Sequence, residues 1–222
     1  MAKQELDEGL DLGNVVSVKK GFADNFIALF KFILSILILP LIIGLTISFL
    51  QQIALQEGSV INNFVFGLVG YLILHLFIYQ PRGFYNFEQG IIDKLFGFFA
   101  PLKALFLYRL PVFSLITLIV YIILTVFFEY KGILGISIFL LSFTALMHLV
   151  LAAANLKDES TGILRGDYFL SLSTVYLLEI ILIAIFMKLM VDSFSVMSFL
   201  KEGFSFFINT HIAAWNQLFV IK

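Results

Sequence analysis

The sequence predicts an all-α fold: a polytopic helical membrane bundle of five transmembrane helices, with interfacial amphipathic helices at both faces. Three observations predict it. Hydrophobic residues make up 61% of the 222 and charged ones only 13%, whereas a soluble domain carries roughly 25% charge. Mean hydropathy is +1.04. The apolar residues also gather in blocks of about twenty, the length at which a helix crosses a bilayer core.

The elements follow in order. Residues 1–25 read as a cytoplasmic N-terminal segment. Met1–Lys20 is acidic and polar (Glu5, Asp7, Glu8, Asp11), and no apolar core precedes Phe26, so no cleavable signal is expected there. The five-span membrane domain is expected over 26–191. Its first block is Phe26–Leu50, with Pro40 in the middle, where a lost backbone hydrogen bond predicts a kink. The second is Val60–Tyr79, closed by Pro81. The third is Pro111–Phe128, with proline at the first turn, where its missing N–H costs nothing. The fourth, Ile133–Ala154, follows the tight Glu129–Gly132 turn, so blocks three and four are expected as an antiparallel hairpin. The fifth, Tyr168–Val191, comes after the hydrophilic linker Asn155–Asp167.

Two further stretches carry helical amphipathicity. In Phe84–Ala100, within a cytoplasmic loop over 80–110, Phe84, Phe87, Ile91, Leu95, Phe98 and Leu102 share a stripe, with Asn86, Gln89, Asp93 and Gly97 opposite. This suits a helix lying at the headgroups or on a partner. In the C-terminal segment 192–222, Phe204, Phe207, Ile208, Ile212, Trp215, Leu218 and Phe219 oppose Ser205, Asn209, Ala213, Asn216 and Gln217. The polar groups there, with Thr210 and His211, favour a surface helix over the rival reading, a sixth span. Orientation follows the Lys/Arg bias. One side would hold Lys3, Lys19, Lys20, Arg82, Lys94, Lys103, Arg109, Lys157 and Arg165, and the other only Lys131, Lys201 and Lys222. The richer side is the cytoplasmic one. The N-terminus is therefore expected in the cytoplasm and, with five spans, the C-terminus opposite. Lys188, near the outer end of block five, is expected to snorkel.

Composition and motifs exclude several chemistries. With a net charge of −1 there is no basic stripe for nucleic acid. With no cysteine there are no disulfides, thiolate zinc sites, iron–sulfur clusters or cysteine nucleophiles. None of His75, His148 and His211 opens an H-E-x-x-H pair, and neither a G-x-S-x-G elbow nor a phosphate-binding P-loop occurs. No cofactor and no metal site is expected. Asp158, Glu159 and Asp167 could gather a cation, but a solvated loop is the simpler reading.

The informative residues are the ionisable ones inside apolar blocks. Glu179 lies mid-block in VYLLEIILIAIF. An ionised carboxylate there costs a few kcal/mol even on lenient scales, so it must face protein or water, or carry a proton. At 1.5 Å per residue it lies about 16 Å from the cytoplasmic end of its block, His148 about 9 Å, and Lys31 and His75 about 6–8 Å from theirs. Glu179, His148, His75 and Lys31 are thus candidates for one polar cluster in the inner half of the bilayer. The competing reading is an interhelical bond for Glu179 and snorkelling for Lys31 and His75. A second candidate site is the cytoplasmic loop as a docking surface, carried by Arg82, Glu88, Asp93, Lys94, Lys103 and Arg109.

The stretch from Glu88-Gln89 through Pro101-Leu102-Lys103 to Arg109 resembles the cytoplasmic helix of lipid-transporting ABC permeases of the MlaE kind. There an EQ pair precedes a P-L-basic element and an arginine leading into the next span. The likeness is confined to 88–109, is off by one position between its halves, and lacks the small-residue-rich helix that precedes it in that family. Nothing after Phe128 matches.

The functional expectation is a non-enzymatic integral subunit of a larger membrane assembly, touching the lipid bilayer and other membrane subunits but no nucleic acid. The alternative is a permease or transport component built around Glu179, which the resemblance would make a lipid-transport permease. A third reading, an intramembrane lipid-modifying enzyme, would need Glu179 and His148 as its catalytic pair.

Overall fold

Apolar runs of this length form helices because backbone groups removed from water can be satisfied within a single segment only that way. A computed structural model of the protein describes residues 12–77, 82–98, 110–128, 132–159 and 166–219. Among these it has seven helices and no strand: α1 (Leu12–Ala54), α2 (Gly58–Phe77), α3 (Arg82–Phe96), α4 (Val112–Phe127), α5 (Gly132–Glu159), α6 (Gly166–Met190) and α7 (Val196–Phe219). Four stretches are long and apolar enough to cross a membrane: Asn25–Ala54, Gly58–Phe77, Gly132–Lys157 and Gly166–Met190. α4 is as apolar but has only 16 residues, about 24 Å of rise against a hydrocarbon core of about 30 Å.

The distribution of side chains is the reverse of a soluble protein's. Phe30, Ile36, Leu50, Phe66, Leu76 and Val126 are among many large apolar side chains facing outward, while Glu88, His148, Glu179, Ser48 and Ser142 are buried. In water that surface would be a severe liability. Against lipid it is the ordinary one, because acyl chains solvate Leu and Phe. This is an integral, multi-pass helical membrane protein.

Several boundaries differ from the sequence expectation. α1 begins at Leu12, well before Phe26, and continues through Pro40 without ending. α5 carries on past Ala154 into the supposed linker, to Glu159. Polar residues do not stop a helix that has already left the apolar core, since water can satisfy its exposed backbone.

Packing uses small residues where backbones approach. α2 lies parallel to α5: Gly135 faces Asn63, Gly67 faces Phe139 and Ser142, and Tyr71 meets the Phe143 ring edge-on at 5.5 Å. A Cβ at Gly67 would collide with the Phe139 carbonyl and the Ser142 hydroxyl, so only glycine lets these helices come this close. α4 packs on α5, with the Ser114 and Thr144 hydroxyls 3.1 Å apart. α6 runs parallel to α1, from the Phe32–Phe169 ring contact at one end to Ser193, just past α6, which donates to Gln56 at the other.

The C-terminal helix α7 lies lengthwise along α1, antiparallel to it. The Ser195 amide donates to Gln52 (3.2 Å), the Ser48 hydroxyl donates to the Phe199 carbonyl (2.9 Å), and Gly44 abuts Gly203 and Phe206. Its packed line is Phe199, Gly203, Phe207 and Thr210, flanked by His211. From Ile212 to Phe219 it is exposed.

Candidate functional site

The site begins with a helix that cannot cap itself. The residue before α4 is Pro111, which has no side-chain hydrogen bond to offer the orphan amides of the first turn. Glu88, on α3, takes that role from a distance. Its Oε1 accepts the Val112 amide at 2.6 Å and the Phe113 amide at 3.4 Å. The positive end of the α4 dipole favours a carboxylate there. Phe87, next to it, stacks on Phe113 at 6.2 Å. α3 is thus pinned beneath α4 by Glu88 and Ile92, both fully buried, while Phe87, Leu95 and Phe98 point outward.

The other carboxyl oxygen of Glu88 turns inward. Glu88 Oε2 stands 3.1 Å from Nδ1 of His148 on α5, and Nε2 of the same ring stands 3.9 Å from Glu179 Oε2 on α6. The first distance is a hydrogen bond; the second is ion-pair range, a little beyond one. Glu88 and His148 are completely buried, and Glu179 is 3% exposed. Neither oxygen of Glu179 has a hydrogen-bond partner among the described residues. The result is a string, carboxyl–imidazole–carboxyl, from the first turn of α4 toward the middle of α6.

The string's shape limits its chemistry. The two carboxyls sit on opposite nitrogens of one ring, so their oxygens cannot converge on a common ion. No group of three or more His, Cys, Asp or Glu placed to hold a metal occurs among the described residues. What an imidazole between two carboxyls can do is accept a proton on one nitrogen and release one from the other. The three groups then hold their protons as one unit.

Beyond Glu179 lies an apolar cavity of about 230 Å³ between the α1/α6 pair and the α2/α5 pair. Phe49, Phe64, Leu68, Ala145 and Ile183 form its walls, and Glu179 lies in them with the hydroxyls of Thr46, Ser142 and Tyr176. Thr46 and Tyr176 share a 2.7 Å hydrogen bond.

Of the four residues expected to cluster, the structure brings His148 and Glu179 together. Lys31 reaches outward to form an ion pair with Asp167 in the first turn of α6, both being substantially exposed. His75 stacks on Tyr71, with its Nδ1 3.5 Å from the phenol oxygen. Depth alone suggested four partners, but rotation of α1 and α2 about their axes turned two of them elsewhere. Asp167, proposed with Asp158 and Glu159 for a cation, is committed to Lys31, and the side chains of Asp158 and Glu159 lie outside the described residues. Lys188 donates to the Asp192 carbonyl at 2.6 Å.

Glu88 requires a correction. Expected on a docking surface, it is buried and belongs to the polar string. The signal was present: Glu88 falls four residues after Phe84 and four before Ile92, on the apolar flank of an otherwise well-sorted helix. A lone carboxylate there has to be paired. Asp93 and Lys94 are exposed. The Arg82 side chain, Lys103 and Arg109 lie outside the described residues, so the docking surface has no geometry beyond α3.

Compared with known protein families, curated proteins and solved structures, the chain matches none. The permease resemblance therefore stays confined to 88–109.

Proposed function

We propose that this protein is the membrane-embedded permease component of a transport assembly, in which Glu88, His148 and Glu179 pass protons between the α3 face and the intramembrane cavity. The observation that carries the reading is Glu179, a buried carboxyl with no hydrogen-bond partner, at the inner end of the string and in the wall of a cavity. Polar side chains that serve only as interhelical glue pair off with each other, as Ser114 does with Thr144. A carboxyl left open is expensive and calls for a task. The chain carries out no covalent chemistry in this reading.

The topology that goes with it has six crossings, α7 returning along α1 and α4 serving as a short span. Both termini then lie on the cytoplasmic side. Lys222 joins the basic majority, leaving Lys131 and Lys201 opposite, which strengthens the charge bias.

A second reading, an integral subunit that binds partners through its spans, is supported by α7. Ser205, Asn209, Asn216 and Gln217 are exposed along it, and polar groups at membrane depth need protein neighbours more than lipid ones. The two readings are compatible: a permease component with α7 as its assembly face.

The test is proton movement in vesicles containing the native assembly, extracted in mild detergent and reconstituted whole. Glu179→Gln and His148→Gln should each abolish it while leaving the assembly's size unchanged. Wild-type proton movement in an intact Glu179→Gln assembly would overturn the proposal.

A further inference from the structure

The cavity beside Glu179 has a hydrogen-bonding sign. Each hydroxyl in its wall has one proton to give, and each has already given it. Thr46 donates to the Ile42 carbonyl at 2.7 Å, so in its 2.7 Å bond with Tyr176 the phenol is the donor. Ser142 donates to the Phe139 carbonyl at 3.0 Å. These three groups are left with lone pairs only, and Glu179 adds two carboxyl oxygens with no hydrogen-bond partner. A wall of acceptors set in hydrocarbon discriminates by what it leaves unmade: an occupant with only acceptors strands every one of them.

Size and access narrow the occupant further. The volume is about 230 Å³. An apolar cavity of about 150 Å³ takes a benzene ring, and drug-sized ligands need roughly 300 Å³ or more. The space therefore suits one ring or one stretch of a single chain, not a two-chain lipid. α1 packs chiefly on α6 and α7, and α2 on α5, so the cleft between the two pairs opens sideways, with exposed Leu50 on its rim.

Resting on the permease reading, we infer that this cleft is a binding site for a single-chain or single-ring amphiphile that enters from the bilayer and donates a hydrogen bond, through an amine or hydroxyl group, to the acceptors around Glu179. The apolar part lies along Phe49, Phe64 and Leu68. The donor group meets Glu179 at the end of the polar string, where a proton delivered through His148 would compete with it for the same carboxyl. Binding of the amphiphile and proton occupancy thereby become linked at one group.

The test is competition photolabelling of the full chain in its native assembly, embedded in lipid nanodiscs. The probe is decylamine with a diazirine on its chain, and labelled peptides are mapped by mass spectrometry. Label should fall on the segments around Phe49, Phe64, Ala145 and Ile183. Decylamine and decanol should displace it. Decane, decyl methyl ether and decyltrimethylammonium, which match the chain but donate no hydrogen bond, should compete at least about tenfold less well. Equal competition by decane would show a cleft filled by any hydrocarbon and overturn the inference. So would label scattered outside the four segments, and displacement by ethanolamine at equal concentration would overturn lateral entry. Glu179→Gln should erase the preference for amine over alcohol, and the wild-type competitor series decides the matter if that variant does not fold. In His148→Gln the selective labelling should persist while proton movement is lost. Selective labelling in a wild-type assembly that moves no protons would remove the permease reading and leave the site standing.

Discussion

Replacing Glu88 separates a helix cap from a charge, and the structure sets the size of each. The Glu88 carboxyl holds the Val112 amide at 2.6 Å, the Phe113 amide at 3.4 Å and His148 Nδ1 at 3.1 Å, and the residue is fully buried. Glu88→Ala leaves the Val112 amide and the imidazole nitrogen without this partner where water does not reach. Each buried polar group left unsatisfied costs about 1–3 kcal/mol, and removing one member of a buried pair costs roughly 3–5 kcal/mol. The weak Phe113 contact adds little, so a loss of about 3–5 kcal/mol is expected. Glu88→Gln keeps a carbonyl oxygen for Val112 and turns its amide toward His148, so it should cost no more than about 1.5 kcal/mol. The assay is unfolding in dodecyl maltoside titrated with dodecyl sulfate, followed by far-ultraviolet dichroism. Equal stability of Glu88→Ala and wild type would mean that α3 is not held by this carboxyl and that the string does not exist in the membrane. A Gln variant as damaged as the Ala variant would place the energy in the charge, not the cap.

Three further outcomes are expected. A Cβ at Gly44 would stand 2.6 Å from the Gly203 carbonyl oxygen, so Gly44→Ala should destabilise by about 1–3 kcal/mol through overpacking, whereas Gly90→Ala, in open space on α3, should stabilise by up to about 1 kcal/mol; the same unfolding titration checks both. The exposed Lys31–Asp167 pair should show a coupling below about 1 kcal/mol in a double-mutant cycle, shrinking further with salt. Because the chain has no cysteine, single substitutions Asp93→Cys, Asp192→Cys and Gln217→Cys report sidedness to an impermeant maleimide: positions 93 and 217 should react from one side and 192 from the other. Reaction of 217 together with 192 would refute the sixth crossing.

The membrane class and the helices were legible in the sequence because bilayer thickness and backbone hydrogen bonding act on composition and run length alone. Pro111 and the apolar run after it marked the α4 start, and Glu179 declared itself by sitting among twelve-residue stretches of Leu, Ile and Phe. Rotation was not legible. In a soluble helix the buried face is the apolar one, but here the lipid-facing and protein-facing sides of α1, α2, α5 and α6 are equally apolar, since acyl chains are as apolar as leucine. Nothing along α1 told Lys31 to turn to Asp167, and nothing along α2 turned His75 to Tyr71. Depth could be counted from sequence at a fixed rise per residue; azimuth could not.

What the sequence by itself determined, then, is a multi-pass helical membrane protein with its scarce polar groups at known heights. Only the tertiary structure decided that Glu88, from a helix outside the apolar blocks, completes a buried string with His148 and Glu179, and that α7 returns along α1. The physical reason is common to both. An uncapped helix start behind Pro111 and a close glycine contact at Gly44–Gly203 are satisfied only by residues far away in the chain. Such demands appear once helices are packed, and no periodicity in a single segment records them.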